Sequence, residues 1–379
     1  MKVLIYTGAH FVDNTLPLYK EMKKKGIDVT MLIHLNDPRV NLFNEEQLNP
    51  NVDIYKAIEY SSFKRYGKYC DLNDVYVENC PGRLRSLKSL KSTLLVSKFI
   101  KRGHFDVIHT DMLMMLWKIV LLKYSKKMVW VLHEPFIRER GNAVKKITRL
   151  ISFRRIPKIA ILNKSFYDKF CATYKIKPER VLINKLGPLD SISVFANKQG
   201  SFSRKRLVFW GRIVHYKGLE YLCEAMVKVH EIAPEAELVL AGGGDFYFDI
   251  EPYKKLPYIH INNTFLDMDE LARLIDSAAF TVCPYTSASQ SGSVITSFVM
   301  GKPVIGTDLT TMREMIDDGE TGLLVPTRNS DALAEAIVKL LNDDSIYNLL
   351  VRNIKEKNAN DDTWSKVVDK YLTFYQKQL

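Results

Sequence analysis

Residues 280–308, FTVCPYTSASQSGSVITSFVMGKPVIGTD, combine a strand, a polar loop, a helix and a second strand. The apolar run 280–283 is typical of a buried strand, and small hydroxyl and amide residues follow it. The apolar positions of the predicted helix share one side: Val294, Ile295, Phe298 and Val299. Gly301 predicts the end of this helix, and the run 303–305 predicts the next buried strand.

This arrangement is suited to binding an anion. Free backbone N–H groups and the positive end of the helix dipole converge where the loop meets the helix. Ser291 and Gly292 are small enough there to let a phosphate approach the backbone. The alternative is an ordinary α/β crossover that binds nothing.

The chain has 379 residues, of which 46% are hydrophobic, so it can form two globular domains. No apolar run reaches the roughly 18 residues of a transmembrane helix. The opening MKVLIYTGAH predicts a first strand and lacks the long apolar core of a signal peptide. Five scattered cysteines without a CxxC pair indicate buried free thiols in a reducing cytoplasm.

Positive charge is concentrated in the first half of the chain. Residues 1–200 contain 36 Lys and Arg against 18 Asp and Glu, whereas residues 201–379 contain 19 against 25. The overall net charge is +12. This asymmetry predicts that the first half meets an anionic surface.

Two stretches carry much of that charge. Residues 83–102 contain seven basic residues and no acidic one, and residues 138–158 contain eight basic residues against Glu139. Leucines recur in the first stretch near helical spacing: Leu84, Leu87, Leu90 and Leu94. Such a basic amphipathic helix can lie on anionic lipid, each basic residue contributing about 1 kcal/mol near the surface. The alternative is an ordinary surface helix packed on a sheet.

Predicted strands and helices alternate along both halves. The strands are 2–6, 28–33, 105–110, 128–133, 159–162, 181–184, 207–210, 237–241, 258–261, 280–283, 303–306 and 323–325. The helices are 16–25, 218–232, 269–278, 292–300, 312–318, 331–342 and 363–378. Residues 36–80 show no usable periodicity, and the polar stretch 187–206 predicts a linker. The pattern predicts two doubly wound α/β domains with parallel sheets.

Candidate functional residues follow the predicted strands of the first half. His109, Asp111 and His133 come at or just after the ends of the strands 105–110 and 128–133. In an open α/β sheet, ligands bind beyond the carboxyl ends of the strands. These residues are therefore placed for a site, although a histidine with a purely structural role remains the alternative.

The second half has a further anion-binding pattern. Gly211 permits close backbone approach, Arg212 offers a bidentate fork and Lys217 a point charge, a combination suited to a diphosphate. The turn at 241–245, AGGGD, lacks dinucleotide-binding spacing and is either a plain turn or a place where a nucleotide lies close. Asp267 and Glu270 have the spacing of a helix capping box, which we favour over a DxD metal motif, so no metal is predicted.

These motifs resemble the family 4 (group 1) glycosyltransferases, retaining sugar-nucleotide transferases with the GT-B fold. The resemblance lies within residues 207–326: FWGRIVHYKGLEYL, ELVLAGGGD, MDELARLIDSAAFTVCPY and GKPVIGTDLTTMREMIDDGETGLLVP. It implies an α/β fold of two doubly wound Rossmann-like domains facing across a cleft. Residues 1–190, with the C-terminal helix 361–379, would bind the acceptor, and residues 200–360 would bind the nucleotide-sugar donor.

The resemblance also implies residue roles. The catalytic residues would be Arg212, Lys217, His109, Asp111 and His133. The donor-binding residues would be Gly211, Arg212, Lys217, Gly242, Phe265, Leu266, Gln290, Ser291, Gly292, Ser293, Thr296 and Glu314. No metal or other cofactor is expected, since the nucleotide-diphosphate sugar is a co-substrate.

The function implied is retaining hexosyl transfer to a glycan or lipid-linked acceptor in surface polysaccharide or lipopolysaccharide biosynthesis. The enzyme would be cytoplasmic and peripheral at the inner face of the cell membrane, held there through residues 83–102 and 138–158. We expect no nucleic-acid partner, because no aromatic-studded basic motif is present.

The sequence departs from the family pattern in two places. Most members carry two glutamates eight positions apart, where this chain has Ala288 and Thr296, and a similar subgroup has Ser-Gln-Ser-Gly there. Asp111 stands where the family often has the second histidine of a His-x-His motif. A non-catalytic, membrane-surface protein that binds a nucleotide sugar is therefore the main alternative, and a sugar-nucleotide epimerase or phosphorylase is another.

Overall fold

The computed structural model describes residues 1–35, 51–80, 86–113, 116–136, 143–196, 202–288, 290–361 and 363–377. The chain forms two compact units. The first comprises Met1–Gly187 together with Asp362–Leu379, and the second comprises Pro188–Asp361. Parts of both predicted basic stretches, residues 83–85 and 138–142, lie outside the described residues.

Secondary structure follows the predicted alternation. The strands are β1 (Lys2–Gly8), β2 (Asp28–Leu35), β3 (Asp53–Lys56), β4 (Val75–Asn79), β5 (Val107–Thr110), β6 (Met128–Leu132), β7 (Lys158–Ile161), β8 (Val181–Ile183), β9 (Arg206–Trp210), β10 (Glu237–Ala241), β11 (Ile259–Asn262), β12 (Phe280–Cys283), β13 (Val304–Thr307) and β14 (Gly322–Val325). The helices are α1 (Val12–Lys24), α2 (Ser61–Lys64), α3 (Leu87–Gly103), α4 (Ala143–Arg155), α5 (Tyr167–Tyr174), α6 (Leu219–Ile232), α7 (Glu251–Lys254), α8 (Met268–Ser277), α9 (Gly292–Val299), α10 (Thr310–Arg313), α11 (Ser330–Asn342), α12 (Asp344–Ala359) and α13 (Thr363–Gln376). Each predicted strand is present with bounds within two residues.

The first unit contains an eight-stranded sheet in the order β3-β4-β2-β1-β5-β6-β7-β8. All its pairs are parallel except β3 with β4. Strand β1 lies between β2 and β5, so the chain progresses in opposite directions on its two sides. Such a switch point leaves a crevice beyond the carboxyl ends of the strands, where ligands bind in open α/β sheets.

The second unit contains a six-stranded parallel sheet in the order β11-β10-β9-β12-β13-β14. Its switch point lies between β9 and β12. The central strands are mostly apolar because helices cover both faces of the sheet, as the full burial of β12 and β13 illustrates. The candidate loops at 211–217 and 285–292 follow the two strands that flank this switch point.

A buried network of charged and polar side chains, centred on Glu78, connects strands of the first unit to α3. The Glu78 carboxylate of β4 lies 2.7 Å from the Lys118 ammonium and 2.9 Å from His34 Nδ1. Tyr6 and Ser92 also donate hydroxyl hydrogen bonds to this carboxylate. The neighbouring His34 and Lys118 hold the pKa of Glu78 well below its usual range, despite the opposing effect of burial. The network is fully buried and joins three strands to α3.

Helix α3 packs on the sheet through small side chains rather than through its leucines. Its buried positions are Ser89, Ser92, Thr93, Val96, Ser97 and Ile100. Leu87 and Leu94 are instead 79% and 47% exposed. The orientation of α3 follows from the buried Glu78 network, because Ser92 must face the sheet to donate its hydrogen bond to Glu78. Two residues of the predicted leucine row, Leu87 and Leu94, therefore lie outside the core, Leu90 is half-buried, and Leu84 lies outside the described residues.

Two predicted elements differ from those observed. The helix predicted over 312–318 is wrong: α10 ends at Arg313, because the chain turns back into β14 at Gly319, which has φ +76°. Helix α1 begins at Val12 rather than at Leu16 and accommodates Pro17 inside its second turn. No helix in the described ranges is long and apolar enough to cross a membrane.

Candidate functional site

Two glycines shape the loop that follows β9 in the second unit. Gly211 has φ +130°, and its N–H donates to the carbonyl of Ala241 at 3.0 Å. Gly242 has φ +150°, and a Cβ there would lie 1.8 Å from the carbonyl oxygen of Gly211. The glycine turn after β10 is therefore required by close packing against the loop that carries Arg212.

Lys217 and the first turn of α9 meet near Gly211. A Cβ built on Gly211 would lie 4.0 Å from Lys217 Nζ and 3.8 Å from Ser293 Oγ, so these groups surround one point. The Lys217 ammonium lies 3.7 Å from the centroid of the Tyr285 ring, a cation–π contact that fixes its position. The structure thus brings together two anion-binding patterns that lie about seventy residues apart in the sequence.

Ser291 caps α9. Its Oγ accepts a hydrogen bond from the N–H of Val294 at 3.3 Å and donates one to the Tyr285 hydroxyl at 3.3 Å. The first N–H groups of a helix have no partner within the helix, so they and the helix dipole favour an anion at this end. Thr296 is buried one turn further on.

The other predicted donor-binding residues lie on neighbouring loops. Phe265 is 57% exposed and Leu266 is half-buried, and both precede α8 beside the glycine turn. Gln290 is half-buried directly before Ser291. Glu314 is exposed at the end of α10, and Thr311 of that helix donates to the carbonyl of Ala288 at 3.0 Å. Arg212 is exposed at the edge of the sheet.

Asp267 and Glu270 form the capping box that their spacing predicts. Asp267 Oδ1 accepts from the N–H of Glu270 at 2.8 Å, and Glu270 Oε2 accepts from the N–H of Asp267 at 2.9 Å. Both carboxylates thereby accept hydrogen bonds from backbone N–H groups at the start of α8 that would otherwise have no partner within the helix. Across the described part of the chain, no group of three or more His, Cys, Asp or Glu residues could hold a metal ion.

In the first unit, His109 is held as a neutral, buried side chain. Its Nδ1 lies 2.7 Å from the hydroxyl of Tyr375, and its ring packs edge-on against Tyr371 at 4.7 Å. Burial lowers the pKa of His109 to about 4. The side chain therefore carries no charge at neutral pH.

The Asp111 carboxylate and the His133 ring lie next to each other, beside His109. Thr7 donates a 2.7 Å hydrogen bond to Asp111 and the N–H of Gly8 a 3.1 Å bond, so the end of β1 holds this carboxylate. His133 Nε2 lies 3.6 Å from the same carboxylate, and the His133 ring stacks on Phe11 at 3.7 Å. The side chain of His133 is partly accessible, as an acid, a base or a hydrogen-bond donor to a ligand must be.

All three predicted residues of this unit line one pocket. Its empty volume, open solvent included, is about 330 Å³. Residues from α1, from the loop after β8 and from α13 complete the lining, among them Asn14, Lys185 and Trp364. The pocket lies at the switch point of the first sheet, where a ligand site is expected.

The sequence analysis missed Asp13 in the first turn of α1. Its Oδ1 is buried, and no described residue gives it a hydrogen bond. Burial raises the pKa of Asp13 to about 6, and a perturbed carboxyl at the carboxyl edge of a sheet is a common feature of functional sites. An acidic residue in the first helical turn after β1 was the available signal, but such residues commonly only stabilise the helix dipole.

Two doubly wound α/β units, one with a candidate anion-binding edge and one with a His–Asp pocket, define a two-domain protein of the GT-B fold class. Residues 204–343 match the model of the family described as Glycosyl transferases group 1. The resemblance read from the sequence motifs is confirmed, and so is the fold class.

Curated relatives agree with this assignment. The chain is 24% identical over 295 residues to an uncharacterized glycosyltransferase, MJ1607, of Methanocaldococcus jannaschii, covering 72% of this chain and 75% of the relative. It is 22% identical to the MMP alpha-(1->4)-mannosyltransferase of Mycolicibacterium hassiacum, covering 74% and 72%. It is 29% identical to the phosphatidyl-myo-inositol mannosyltransferase of Mycobacterium leprae, with 45% and 46% covered. Several matches thus span about half of the relative's length.

Solved structures share the fold over the whole chain. Anabaena HepE in complex with UDP aligns with a TM-score of 0.64 at 15% identity, covering 98% of this chain and 99% of that one. The catalytic domain of starch synthase IV from Arabidopsis thaliana, bound to ADP and acarbose, aligns with a TM-score of 0.71 at 11% identity, covering 99% and 98%. Together the family match and the relatives support a glycosyltransferase that uses a sugar-nucleotide donor.

Proposed function

We propose that this protein is a retaining glycosyltransferase that moves a hexosyl group from a nucleotide-diphosphate sugar to a glycan or lipid-linked acceptor. The observation that carries the proposal is the convergence of Gly211, Lys217 and Ser293 on one point at the start of α9. An ammonium group, exposed backbone and a helix N-terminus together match the charge and size of a pyrophosphate. Solved structures of the same fold contain UDP, UDP-glucose or ADP, which supports a nucleoside diphosphate here.

The proposed chemistry needs charge stabilisation more than a protein nucleophile. The acceptor hydroxyl attacks on the face from which the diphosphate leaves, so the configuration is retained. Negative charge develops on the leaving group, and Lys217, Arg212 and the α9 dipole stabilise it, each preorganised group contributing about 3 kcal/mol. Two cationic side chains and a helix end can serve the diphosphate, so we propose that turnover needs no metal ion.

We place the acceptor in the first unit, at the pocket of His109, Asp111 and His133. Asp111 is anchored by β1, and it can orient His133 as a hydrogen-bond donor or base for an acceptor hydroxyl. Lys185 lines the same pocket and suits an anionic acceptor. Surface polysaccharide or lipopolysaccharide assembly fits such an acceptor, and the mycobacterial phosphatidyl-myo-inositol mannosyltransferase relatives also favour a glycolipid. The enzyme would act in the cytoplasm at the inner membrane face.

Replacement of Lys217 tests the proposal. We expect Lys217→Ala to reduce turnover of a nucleotide sugar by two to three orders of magnitude or about 3–4 kcal/mol, because a charge that stabilises the leaving group is lost. The matched control is Lys254→Ala, which removes an exposed lysine of α7 paired with Glu251. Product release would be followed across uridine- and guanosine-diphosphate sugars, and NMR would give the anomeric configuration of the product. Undiminished turnover in the Lys217 variant would refute the assignment.

The alternative of a non-catalytic nucleotide-sugar-binding protein rests on Ala288 and Thr296. Neither residue can supply the carboxylate that most family members have at these positions. The two proposals differ in one readout, since both predict nucleotide binding but only the transferase releases nucleoside diphosphate. Any transfer or hydrolysis that Lys217→Ala abolishes would exclude the alternative.

A further inference from the structure

Four segments cover one face of the sheet in the first unit. Helix α3 joins β4 to β5, the 3₁₀ segment Leu116–Lys127 joins β5 to β6, α4 joins β6 to β7, and α5 joins β7 to β8. These right-handed crossovers all progress in the same direction along the sheet, so they share a face. Both α3 and α4 pack against the 3₁₀ segment between them. Helices α1 and α13 contact each other on the opposite face.

Both helices expose aliphatic side chains where a surface helix normally carries polar ones. Leu87 and Leu94 of α3 are 79% and 47% exposed, and Ile147 and Leu150 of α4 are 56% and 48% exposed. The spacings of seven and three residues put each pair on one side of its helix. Small polar residues of the same helices are buried instead: Ser89, Ser92, Thr93, Thr148 and Ser152. Both helices also bury apolar residues, among them Val96, Ile100 and Phe153, so the exposed leucines and isoleucine are additional to the apolar positions that pack on the sheet.

The charge on three of these segments has a single sign. Helix α3, the 3₁₀ segment and α4 contain fourteen Lys and Arg and no Asp or Glu, whereas α5 carries Asp168 beside Lys169. Lys118 and Arg149 are buried, and eleven of the others are exposed: Lys88, Lys91, Lys98, Lys101, Arg102, Lys123, Lys126, Lys127, Lys146, Arg154 and Arg155. Helices α1 and α13 on the opposite face mix acidic and basic residues. The positive charge of the first half is thus concentrated on one surface.

This surface and the pocket described above share one end of the sheet, although the helices that line the pocket, α1 and α13, cover the opposite face. Each crossover helix runs antiparallel to the strands it connects, so its N-terminus lies near their carboxyl ends. Leu87 and Lys88 occupy the first turn of α3, and Ile147 lies in the N-terminal half of α4. His109, Asp111 and His133 lie at the same end of the sheet.

We propose that the exposed sides of α3 and α4, termed here the basic aliphatic face, form a docking surface for an anionic lipid bilayer. Single aliphatic side chains beside lysines suit the boundary between headgroups and acyl chains, where the ammonium groups meet lipid phosphate. All four large exposed hydrophobic residues described on these helices are aliphatic, whereas single-stranded nucleic acid is bound by aromatic stacking. The inference deepens the proposed function, because a lipid-linked acceptor would enter from that bilayer.

Vesicle sedimentation with the full-length chain tests this inference. We expect wild-type protein to bind phosphatidylglycerol vesicles and not phosphatidylcholine vesicles, with affinity that falls as salt is added. Leu94→Ser with Leu150→Ser removes aliphatic contacts and keeps the charge. Lys88→Glu with Lys91→Glu and Lys98→Glu reverses charge and keeps the leucines. Each set should weaken binding about tenfold or more, since insertion and electrostatic attraction contribute separately.

Matched controls lie outside this face. Ile232→Ser changes an aliphatic residue of the second unit that is 64% exposed, and Lys24→Glu changes an exposed lysine of α1. Both should bind vesicles as the wild type does. Equal binding by the face variants and the controls, or no binding to phosphatidylglycerol at all, would overturn the proposal. Retention on a polyanion such as heparin without any vesicle binding would overturn it too, and would assign the face to another acidic macromolecule.

Membrane docking and sugar transfer are tested by different variants, so either proposal can be refuted while the other stands. Lys217→Ala should bind vesicles normally while losing donor turnover. The face variants should keep donor turnover with a water-soluble acceptor, because none of their substitutions touches the donor site. Unchanged circular dichroism would exclude misfolding, which is not expected for exposed positions.

Discussion

Single glycines determine the backbone geometry of the loop that follows β9, the candidate anion-binding loop of the second unit. Gly211 and Gly242 both adopt positive φ, and the backbone at 242 crosses the Gly211 carbonyl too closely for any side chain. A Cβ on Gly243, by contrast, would lie 3.7 Å from the backbone nitrogen of Phe265, an ordinary contact. A Cβ on Gly244 would lie 2.5 Å from the carbonyl oxygen of Ile213, so the position of the loop that carries Arg212 depends on Gly242 and Gly244 and not on Gly243.

We expect Gly242→Ala to weaken nucleoside-diphosphate binding about tenfold or more, because strain of about 1–3 kcal/mol must displace the Gly211 loop. Gly243→Ala is the matched control and should bind normally. Isothermal titration calorimetry of both variants gives the comparison. Equal affinities for the two would show that the loop geometry does not matter for the nucleotide.

The two candidate histidines of the first unit, His109 and His133, differ in their surroundings. His109 is bonded to Tyr375 and neutral, so its role is to shape the pocket and hold α13. His133 is partly exposed and lies beside the anchored Asp111, which makes it the better placed of the two for proton transfer. The sequence placed both at strand ends and left open which of them was structural.

At the scale of single elements, the start of α8 shows that a helix capping box can contain the same residues as a DxD metal-binding motif. Asp267→Ala should lower the free energy of unfolding by about 1 kcal/mol, the usual contribution of an N-cap. Asp269→Ala is the control, because Asp269 lies within the helix and does not accept the capping bond. Chemical denaturation measures the difference between the two variants.

The capping box of α8 also leads to a prediction about whether turnover depends on a metal ion. Since both carboxylates of the capping box bond to the backbone, we expect EDTA to leave donor turnover unchanged in the wild type and in Asp267→Ala. Loss of turnover on chelation, restored by added divalent cation, would contradict this expectation.

At the scale of the whole molecule, the last helix returns to the first unit. Helix α13 packs on α1 and buries five side chains: Val367, Val368, Tyr371, Phe374 and Tyr375. Asn184 donates to the carbonyl of Val367 at 3.1 Å, and Lys25 pairs with Asp369 at 2.7 Å. A segment more than 170 residues away in the chain thus completes the core of this unit and the lining of its pocket.

Deletion of residues 363–379 should unfold the first unit and spare the second. Burial of each large apolar side chain contributes about 1.5–3 kcal/mol, so the loss rivals the 5–15 kcal/mol that stabilise a typical domain. We expect limited proteolysis to degrade the first unit while nucleoside-diphosphate binding survives. Deletion of residues 377–379 alone is the control. A truncated chain whose first unit resists protease would show that α13 is dispensable.

Local patterns predicted most of the second unit, because fully buried parallel strands are continuous apolar runs bounded by glycine, proline and polar turns. The same reasoning failed for β3 and β4, which lie in the polar region 36–80. Glu78 in β4 is tolerated only because Lys118, forty residues later, neutralises it in the core. Helices α2, α4, α5, α7 and α12 were also not predicted.

The sequence by itself determined the two α/β units and the capping of α8, and it predicted the loops after β9 and β12 as the candidate anion-binding loops. These features depend on neighbours a few residues apart, and propensity, caps and glycine spacing act over that range. Only the tertiary structure decided that Lys217 and Ser293 both lie near Gly211, that α13 packs on His109, and that α3 buries its serines and exposes Leu87 and Leu94. Those outcomes depend on packing between residues distant in the chain, for which no local pattern carries information.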